Sequence, residues 1–281
     1  MVAQVATLAE AATTRASATM ASVTMATATR TTAAIAADLA RALDPVLLAA
    51  QAGLIPDPWQ ASVLRSAAPR LLLNCSRQSG KSTITSILAM HTALYTAGSL
   101  VLLLSPSLRQ SGELFKKCIA TYKDLGRPVS PESETALTLT LENGSRLVSL
   151  PGSKDGTIRG YSGVNLLVID EAAWVADALY MSVRPMLAVS GGRLAALSTP
   201  HGTRGWFYEA WTGGEGWDRY EVPATLCPRI SPAFLEEEKR TMGAWWYEQE
   251  YMCRFSEAET QAFRREDVDN AFREEVEPWA L

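Results

Sequence analysis

Histidine and cysteine are scarce in this 281-residue chain, with two and four of each. The cysteines, Cys75, Cys118, Cys227 and Cys253, are far apart and form no C-x-x-C pair, and only His91 and His201 could assist them. Neither a disulfide framework nor a zinc site is indicated, and scattered cysteines of this kind serve as small core hydrophobes in a reducing cytoplasm. No segment approaches the roughly 18 to 20 uninterrupted apolar residues that span a bilayer, so no membrane role is expected. Charge is not concentrated either. The formal net charge is −4 and no dense Lys/Arg cluster occurs, which argues against an all-round basic coat but leaves a local basic face open. No internal repeat is evident. What remains, 47% apolar and 20% charged residues, is the composition of a globular protein long enough for one large domain or two small ones.

The first 45 residues are rich in Ala, Thr and Ser, poor in acids, and carry a few arginines. They lack the compact apolar stretch of a secretory signal; a transit-peptide-like composition and a mobile arm that orders on a partner are both open readings. Alanine favours helix and the threonine run resists it, so the segment is expected to become helical only near Ala34 to Leu48. From about Asp57 onward, short apolar runs bounded by Gly, Ser, Pro or Asp ("RLLLNC", "SLVLLLS", "VNLLVID", "GRLAALS") alternate with periodic stretches over Lys81–Tyr95, Leu108–Asp124 and Ala172–Val189. Continuous apolar strands joined by helices predict an α/β fold with a mostly parallel sheet covered on both faces. "ALTLTLENGSRLVSL" departs from that pattern as an inserted β-hairpin, with Asn143-Gly144 supplying the tight turn.

The stretch "LLLNCSRQSGKSTITSIL" places Gly80-Lys81-Ser82 where a buried strand turns into a helix. That context suits a phosphate cradle: backbone N–H groups and a helix N-terminus face the phosphates, a lysine reaches the terminal ones, and a hydroxyl holds Mg²⁺. Ser76, Gln78, Ser79, Gly80, Lys81, Ser82 and Thr83 are the candidate contacts. Cys75 stands where such a loop usually opens with glycine, which questions the backbone geometry there but not the donors. About 90 residues after the lysine, "NLLVIDEAAW" ends a strand with Asp170-Glu171. A carboxylate in Asp170's place can hold Mg²⁺ through its shell, and Glu171 can orient or deprotonate an attacking water. Alone the pair also reads as a helix N-cap and first-turn acid; with Lys81 upstream it points to ATP hydrolysis. "PDPWQ" sets Trp59 and Gln60 before the first strand, where an amide could read the adenine edge or a Pro-rich linker could simply pack its indole. Ser198 and Thr199 in "LSTP" end a later strand, either as sensors of the γ-phosphate or as helix caps. Arg77 inside the loop and Arg159 in the Gly-rich "KDGTIRGYSG" could neutralise charge in phosphoryl transfer, or serve as ordinary surface arginines.

In this order and spacing, Trp59-Gln60, "SRQSGKS", "IRGYSG" before "LLVIDEAAW", "LSTPHGTRGWFYEAW" and "EQEYMCRF" resemble the ATPase half of tailed-bacteriophage or prophage large terminases, the motors that package DNA. The similarity covers roughly Asp57 to Arg265. It implies a RecA-like P-loop (ASCE-type) core over residues 46–255, with 1–45 a low-complexity extension and 256–281 a linker. It further implies ATP and Mg²⁺ held by Lys81, Ser82 and Asp170, water activated by Glu171, adenine read by Gln60, and coupling through Ser198-Thr199. Either Arg77 in cis or Arg159 in trans would complete the site. The implied partners are double-stranded DNA, a portal protein and a small terminase subunit, in a ring, commonly of five, on the portal in the host cell cytoplasm; a monomer in solution is compatible with this.

A full-length terminase continues into an RNase H-like nuclease domain, so this chain, ending at Leu281, is expected not to cleave DNA. Asp267 and Asp269 lie in a charged helical stretch and read as a solvated face. Two rivals stay open. A helicase-type ATPase would share the glutamine and the Asp-Glu strand end but need a second RecA-like unit, and a prophage remnant would dock on portal or small subunit without turning over ATP.

Overall fold

The computed structural model describes residues 32–152 and 160–257. Arg159, the N-terminal residues 1–31, and Asp267 and Asp269 in the tail lie outside them. Helix α1 covers 32–43 within that range. It is followed by α2 (Pro45–Gln51), α3 (Pro58–Arg65), β1 (Arg70–Cys75), α4 (Lys81–Tyr95), β2 (Leu100–Ser105), α5 (Leu108–Asp124), β3 (Pro131–Glu134), β4 (Thr138–Leu141), β5 (Arg146–Pro151) and β6 (Leu166–Asp170). The remaining elements are α6 (Asp177–Val183), β7 (Arg193–Ser198), α7 (Gly205–Thr212), β8 (Asp218–Val222), α8 (Pro232–Met242) and α9 (Ala244–Glu250). No helix among the described residues is long and apolar enough to cross a membrane.

One eight-stranded sheet runs in the order β3-β4-β5-β2-β6-β7-β1-β8. From β5 to β8 every pairing is parallel, and β3-β4-β5 is antiparallel. The apolar runs are continuous because each strand is buried on both faces and feeds two cores by alternation. Leu71, Leu73, Val101, Leu103, Val168 and Leu197 join the core under α4 and α5. Leu72, Leu102, Leu104, Ile169 and Ala196 join the opposite one with Trp206 and Phe207. Trp206 stacks on Tyr180 at 3.9 Å and donates its indole N–H to the Val175 carbonyl at 3.0 Å, which satisfies the only polar atom the ring buries. All four cysteines are buried and free, as their scatter predicts.

The expected hairpin is present, with Gly144 at φ 80°. It is no appendage, since β5 also pairs in parallel with β2 and so carries the hairpin into the main sheet. Two short edge strands escape the apolar-run criterion: β3, "PESE", is mostly exposed, and β8, "DRYEV", buries mainly Val222. The helix expected over Ala172–Val189 is broken into 3₁₀ turns at Ala172–Trp174 and Arg184–Leu187 around α6. Ala176 is extended (φ −60°, ψ 143°), and Pro185 sits where α6 ends, where it cannot supply a helical N–H. The helix expected near Ala34 to Leu48 is likewise split at Asp44, whose side chain accepts from the Val46 amide at 3.0 Å.

Gly192, just before β7, is a close-approach site: a Cβ there would lie 1.9 Å from the Val164 carbonyl oxygen. Gly112 in α5 has nothing within 4 Å of its would-be Cβ. Gly192→Ala is therefore expected to destabilise the fold by about 3 kcal/mol, by forcing backbone apart. Gly112→Ala should stabilise it by up to about 1 kcal/mol through helix propensity. Chemical denaturation of both variants checks the contrast, and a Gly192→Ala midpoint at or above wild type would contradict the packing argument.

Candidate active site

Parallel strands carry their functional loops at their C-terminal ends, and the strand order decides which loops meet. β7 lies between β6 and β1, with Asp170 level with Leu197 and Ser198 level with Asn74. One residue further along β6, Glu171 comes level with Ser198 and with the start of the β1–α4 loop. A cleft of about 850 Å³ opens there, lined by Arg77, Gln78, Gly80, Lys81, Ser82 and Thr83 of the loop. Glu171 and Trp174 beyond β6 and Thr199 beyond β7 also line it, as do Gln110 and Lys117 of α5 and Arg229 and Ile230 beyond β8.

The missing first glycine is explained by the backbone. Cys75 is the last residue of β1, fully buried and paired with Val222; burial pushes its thiol up to about 12. The left-handed turns fall later, at Gln78 (φ 58°) and Gly80 (φ 92°). The positive φ at Gly80 is what calls for glycine; a Cβ there would in addition press the end of the Gln60 side chain, 2.9 Å away at its amide nitrogen. Ser76 and Arg77 donate their amides to Val222 and Glu250 at 2.9 and 3.0 Å, and Thr83 and Ile84 donate theirs to Gly80. The amides between them open α4, where a helix leaves its first N–H groups without intrahelical acceptors and its dipole favours anions. Arg77, Lys81, Lys117 and Arg229 line the same cleft; the two arginines are already paired with Glu250 and Asp57, so the charge it offers a polyanion comes chiefly from the two lysines.

Lys81 is buried and its ammonium lies 3.2 Å from a Glu171 carboxylate oxygen. Burial alone would lower its pKa, but Glu171 and Asp170 together hold it above the ordinary lysine value. The second Glu171 oxygen accepts from the Ser198 hydroxyl at 3.5 Å. Glu171 itself adopts a left-handed backbone, φ 50° and ψ 47°, a conformation that costs a non-glycine residue about 1 kcal/mol or more and concentrates at functional sites. Asp170 is buried behind it, accepts from the Glu171 amide at 3.1 Å, and is pushed up to about 6 by burial and by Glu171. A buried carboxylate held above its normal range is poised to take up a cation. Among the described residues no cluster of three His, Cys, Asp or Glu side chains could hold a metal alone. A lone buried carboxylate such as Asp170 suits a hard dication that takes its other ligands from hydroxyls, water and phosphate.

The structure gathers Arg77, Gln78, Gly80, Lys81, Ser82, Thr83, Glu171 and Thr199 around one cleft, with Asp170 and Ser198 buried behind it and bonded to Glu171. It treats the others differently. Ser76 and Ser79 are buried and do not line it. Trp59 packs against the core. Gln60, 1% exposed, uses its carbonyl to accept the Asp57 amide at 2.8 Å and points its NH₂ at the Ser79 carbonyl, 3.5 Å away. Arg77 is ion-paired with the buried Glu250 of α9, whose other oxygen accepts from Gln249 at 3.3 Å. Sequence reasoning missed Lys117, Gln110, Arg229 and Ile230, none of which sits in a motif. Trp174, stacked on His201 at 3.5 Å, does lie within the quoted "DEAAW".

Comparison with known proteins bears on this arrangement. The family model described as "Terminase large subunit, T4likevirus-type, N-terminal" matches residues 72–269. The large terminase subunit of Thermus phage G20c is 28% identical over 225 residues, covering 69% of this chain and 45% of that protein. The large subunit of Escherichia phage T5 is 27% identical over 228 residues, covering 76% and 51%. The chain thus spans about half the length of these curated relatives. Among solved structures, the ATPase domain of the Thermus phage P74-26 large terminase superposes with a TM-score of 0.67 at 21% identity, covering 74% of this chain and 97% of that one. The large terminase of a thermophilic bacteriophage, in complex with ADP, gives 0.61 at 15% identity, covering 71% and 53%. Those likenesses place the sheet in the RecA-like class of the terminase ATPase domains. The family match runs from β1 to beyond α9 and so takes in the loop, Asp170-Glu171 and Ser198 together; on that ground the chain belongs to the terminase large subunit family, in its T4-like-virus-type N-terminal domain.

Proposed function

We propose that residues 46–255 form an ATP-hydrolysing motor domain that moves double-stranded DNA into a procapsid, with 1–45 an extension and 256–281 a linker. The observation that carries this reading is the Lys81–Glu171 pair, 3.2 Å apart, at the mouth of a left-handed loop that opens a helix. Loop amides and Lys81 bind the triphosphate. Glu171 takes a proton from water as the water oxygen bonds to the γ-phosphorus; the bond to the β–γ bridging oxygen breaks, and ADP leaves with its electron pair. Ser82 and Asp170 would hold Mg²⁺, which when bound neutralises phosphate charge. Ser198, hydrogen-bonded to Glu171, and Thr199 on the cleft wall transmit the state of the γ-phosphate to β7 and the loop after it.

For Lys81 to reach the phosphates it must release Glu171, so triphosphate binding and arming of the base are one exchange. Arg77 is engaged by Glu250, which favours Arg159 of a neighbouring subunit as the finger and makes a ring on the portal the working form. Double-stranded DNA would be gripped through its phosphates, in a salt-sensitive way, with portal and small subunit as protein partners in the host cytoplasm.

The test is phosphate release from ATP with Mg²⁺ or EDTA over a range of protein concentrations, alongside ATP binding. Turnover per chain is expected to rise with concentration, and Arg159→Ala to abolish that rise where Arg77→Ala does not. A protein that neither binds ATP nor releases phosphate above the EDTA blank removes the reading.

A further inference from the structure

The strand order gives the cleft a direction. Glu171 and Thr199, beyond β6 and β7, mark one end. The phosphate loop beyond β1 is the middle. Beyond β8, on the far side of β1 from the hydrolytic carboxylate, the wall is Arg229 and Ile230. A phosphate chain seated on the loop with its terminal group toward Glu171 must therefore send its other end toward Arg229.

The residues expected to meet that end are turned away from it. Trp59 packs against the core with its indole nitrogen buried and unpartnered, and Gln60 is sealed behind Gly80 with both ends of its amide directed at protein atoms. Arg229 is built differently. Its two terminal nitrogens donate to the two Asp57 carboxylate oxygens at 3.0 and 2.8 Å, and one donates again to the Ser79 carbonyl at 3.1 Å. Asp57 is nearly buried, at 10% side-chain exposure, whereas the Arg229 side chain remains 50% exposed. A bidentate fork fixes the guanidinium plane, and the bonds to Asp57 and Ser79 engage three of its five in-plane N–H donors. What it leaves to the cleft is a flat cationic face, flanked by the aliphatic surface of Ile230. That is a surface for a π-system rather than for another anion, because the charge is already paired.

We propose that Arg229 and Ile230 form the nucleoside wall of the cleft, with the Arg229 guanidinium stacked on the purine and oriented by Asp57. Gln60 is then a positioning residue that braces Asp57 and the Ser79 carbonyl. The proposal rests on the nucleotide reading above and deepens it, since it separates base affinity from phosphate affinity.

Calorimetric titration of the full chain with ATP and with inorganic tripolyphosphate, both with Mg²⁺, tests it. Wild type is expected to bind ATP about tenfold tighter than tripolyphosphate. Arg229→Gln should lose about that factor for ATP and change tripolyphosphate by less than about twofold. Arg229→Lys, which keeps the charge but not the plane, should behave like the glutamine variant. Equal weakening toward both ligands would assign Arg229 to the phosphates and overturn the proposal, as would unchanged ATP affinity in both variants. Should Arg229→Gln fail to fold, the wild-type ratio and Arg229→Lys decide. A wild type that binds both ligands equally refutes the wall and leaves the phosphate site standing. One that binds neither refutes the nucleotide reading itself.

Discussion

Glu171→Gln is expected to release phosphate about a thousandfold more slowly than wild type while binding ATP at least as tightly. The substitution keeps the shape of the side chain and an oxygen able to accept the Ser198 hydroxyl, and glutamine tolerates the left-handed backbone at 171 no worse than glutamate. What it removes is the proton acceptor and the negative charge paired with Lys81. Losing the acceptor stops water activation; losing the charge frees the lysine for the phosphates without the exchange that wild type must make. Single-turnover phosphate release and calorimetric ATP binding separate the two effects. Turnover within about tenfold of wild type would take Glu171 out of the base role.

The exchange at Lys81 is not isolated. The loop is tied at two more points to the chain beyond β8: Arg77 to Glu250, by side chain and by backbone amide, and the Ser79 carbonyl to Arg229. Any shift of the loop on binding phosphate is therefore felt by the α8–α9 pair, whose own small core is built on Leu235, Tyr247 and Tyr251. That small core is joined to the one under α4 and α5 through Ile230, which packs against both.

The parts of this protein legible in its sequence are those fixed by local pattern. The doubly buried strands β1, β2, β6 and β7 announce themselves as apolar runs, and α4 and α5 end where their periodicity ends, at Tyr95 and Asp124. The loop and the Asp170-Glu171 strand end are legible because phosphate chemistry demands those residue types beside those elements. The rest depends on pairing across the chain. β8 and β3 are strands because neighbours offer them open edges, not because "DRYEV" or "PESE" prefer extension. Arg229 reaches the cleft only because β8 docks beside β1, a contact between residues about 150 apart in sequence. The place of Gln60 before the first strand suggests a contact with the base, but its capping box with Asp57 is an equally local use of the same amide.

Lys81→Ala is expected to weaken ATP binding by at least about a hundredfold, since the ammonium is the buried cation of the cleft. It should also destabilise the protein before any ligand is added. Lys81 is the cation held between Asp170 and Glu171, at 10% side-chain exposure against 24% for Glu171. Removing one partner of a buried pair leaves the other uncompensated, and with Glu171 a quarter exposed the cost is about 2 to 3 kcal/mol. The pH dependence of that cost has a definite sign. Asp170 already sits at about 6 in the fold against an ordinary 3.8. The native state therefore binds the extra proton between those values, and ionised Asp170 subtracts stability as pH rises through 6. Lys81 offsets this at all pH values below its own raised pKa. Without it, Asp170 is pushed higher still, so the variant should lose more stability relative to wild type at pH 8 than at pH 5. Urea unfolding at both pH values in Mg²⁺-free buffer measures the difference. Equal losses at the two pH values would show that the carboxylates do not depend on Lys81, and unchanged ATP affinity would show that the phosphates do not either.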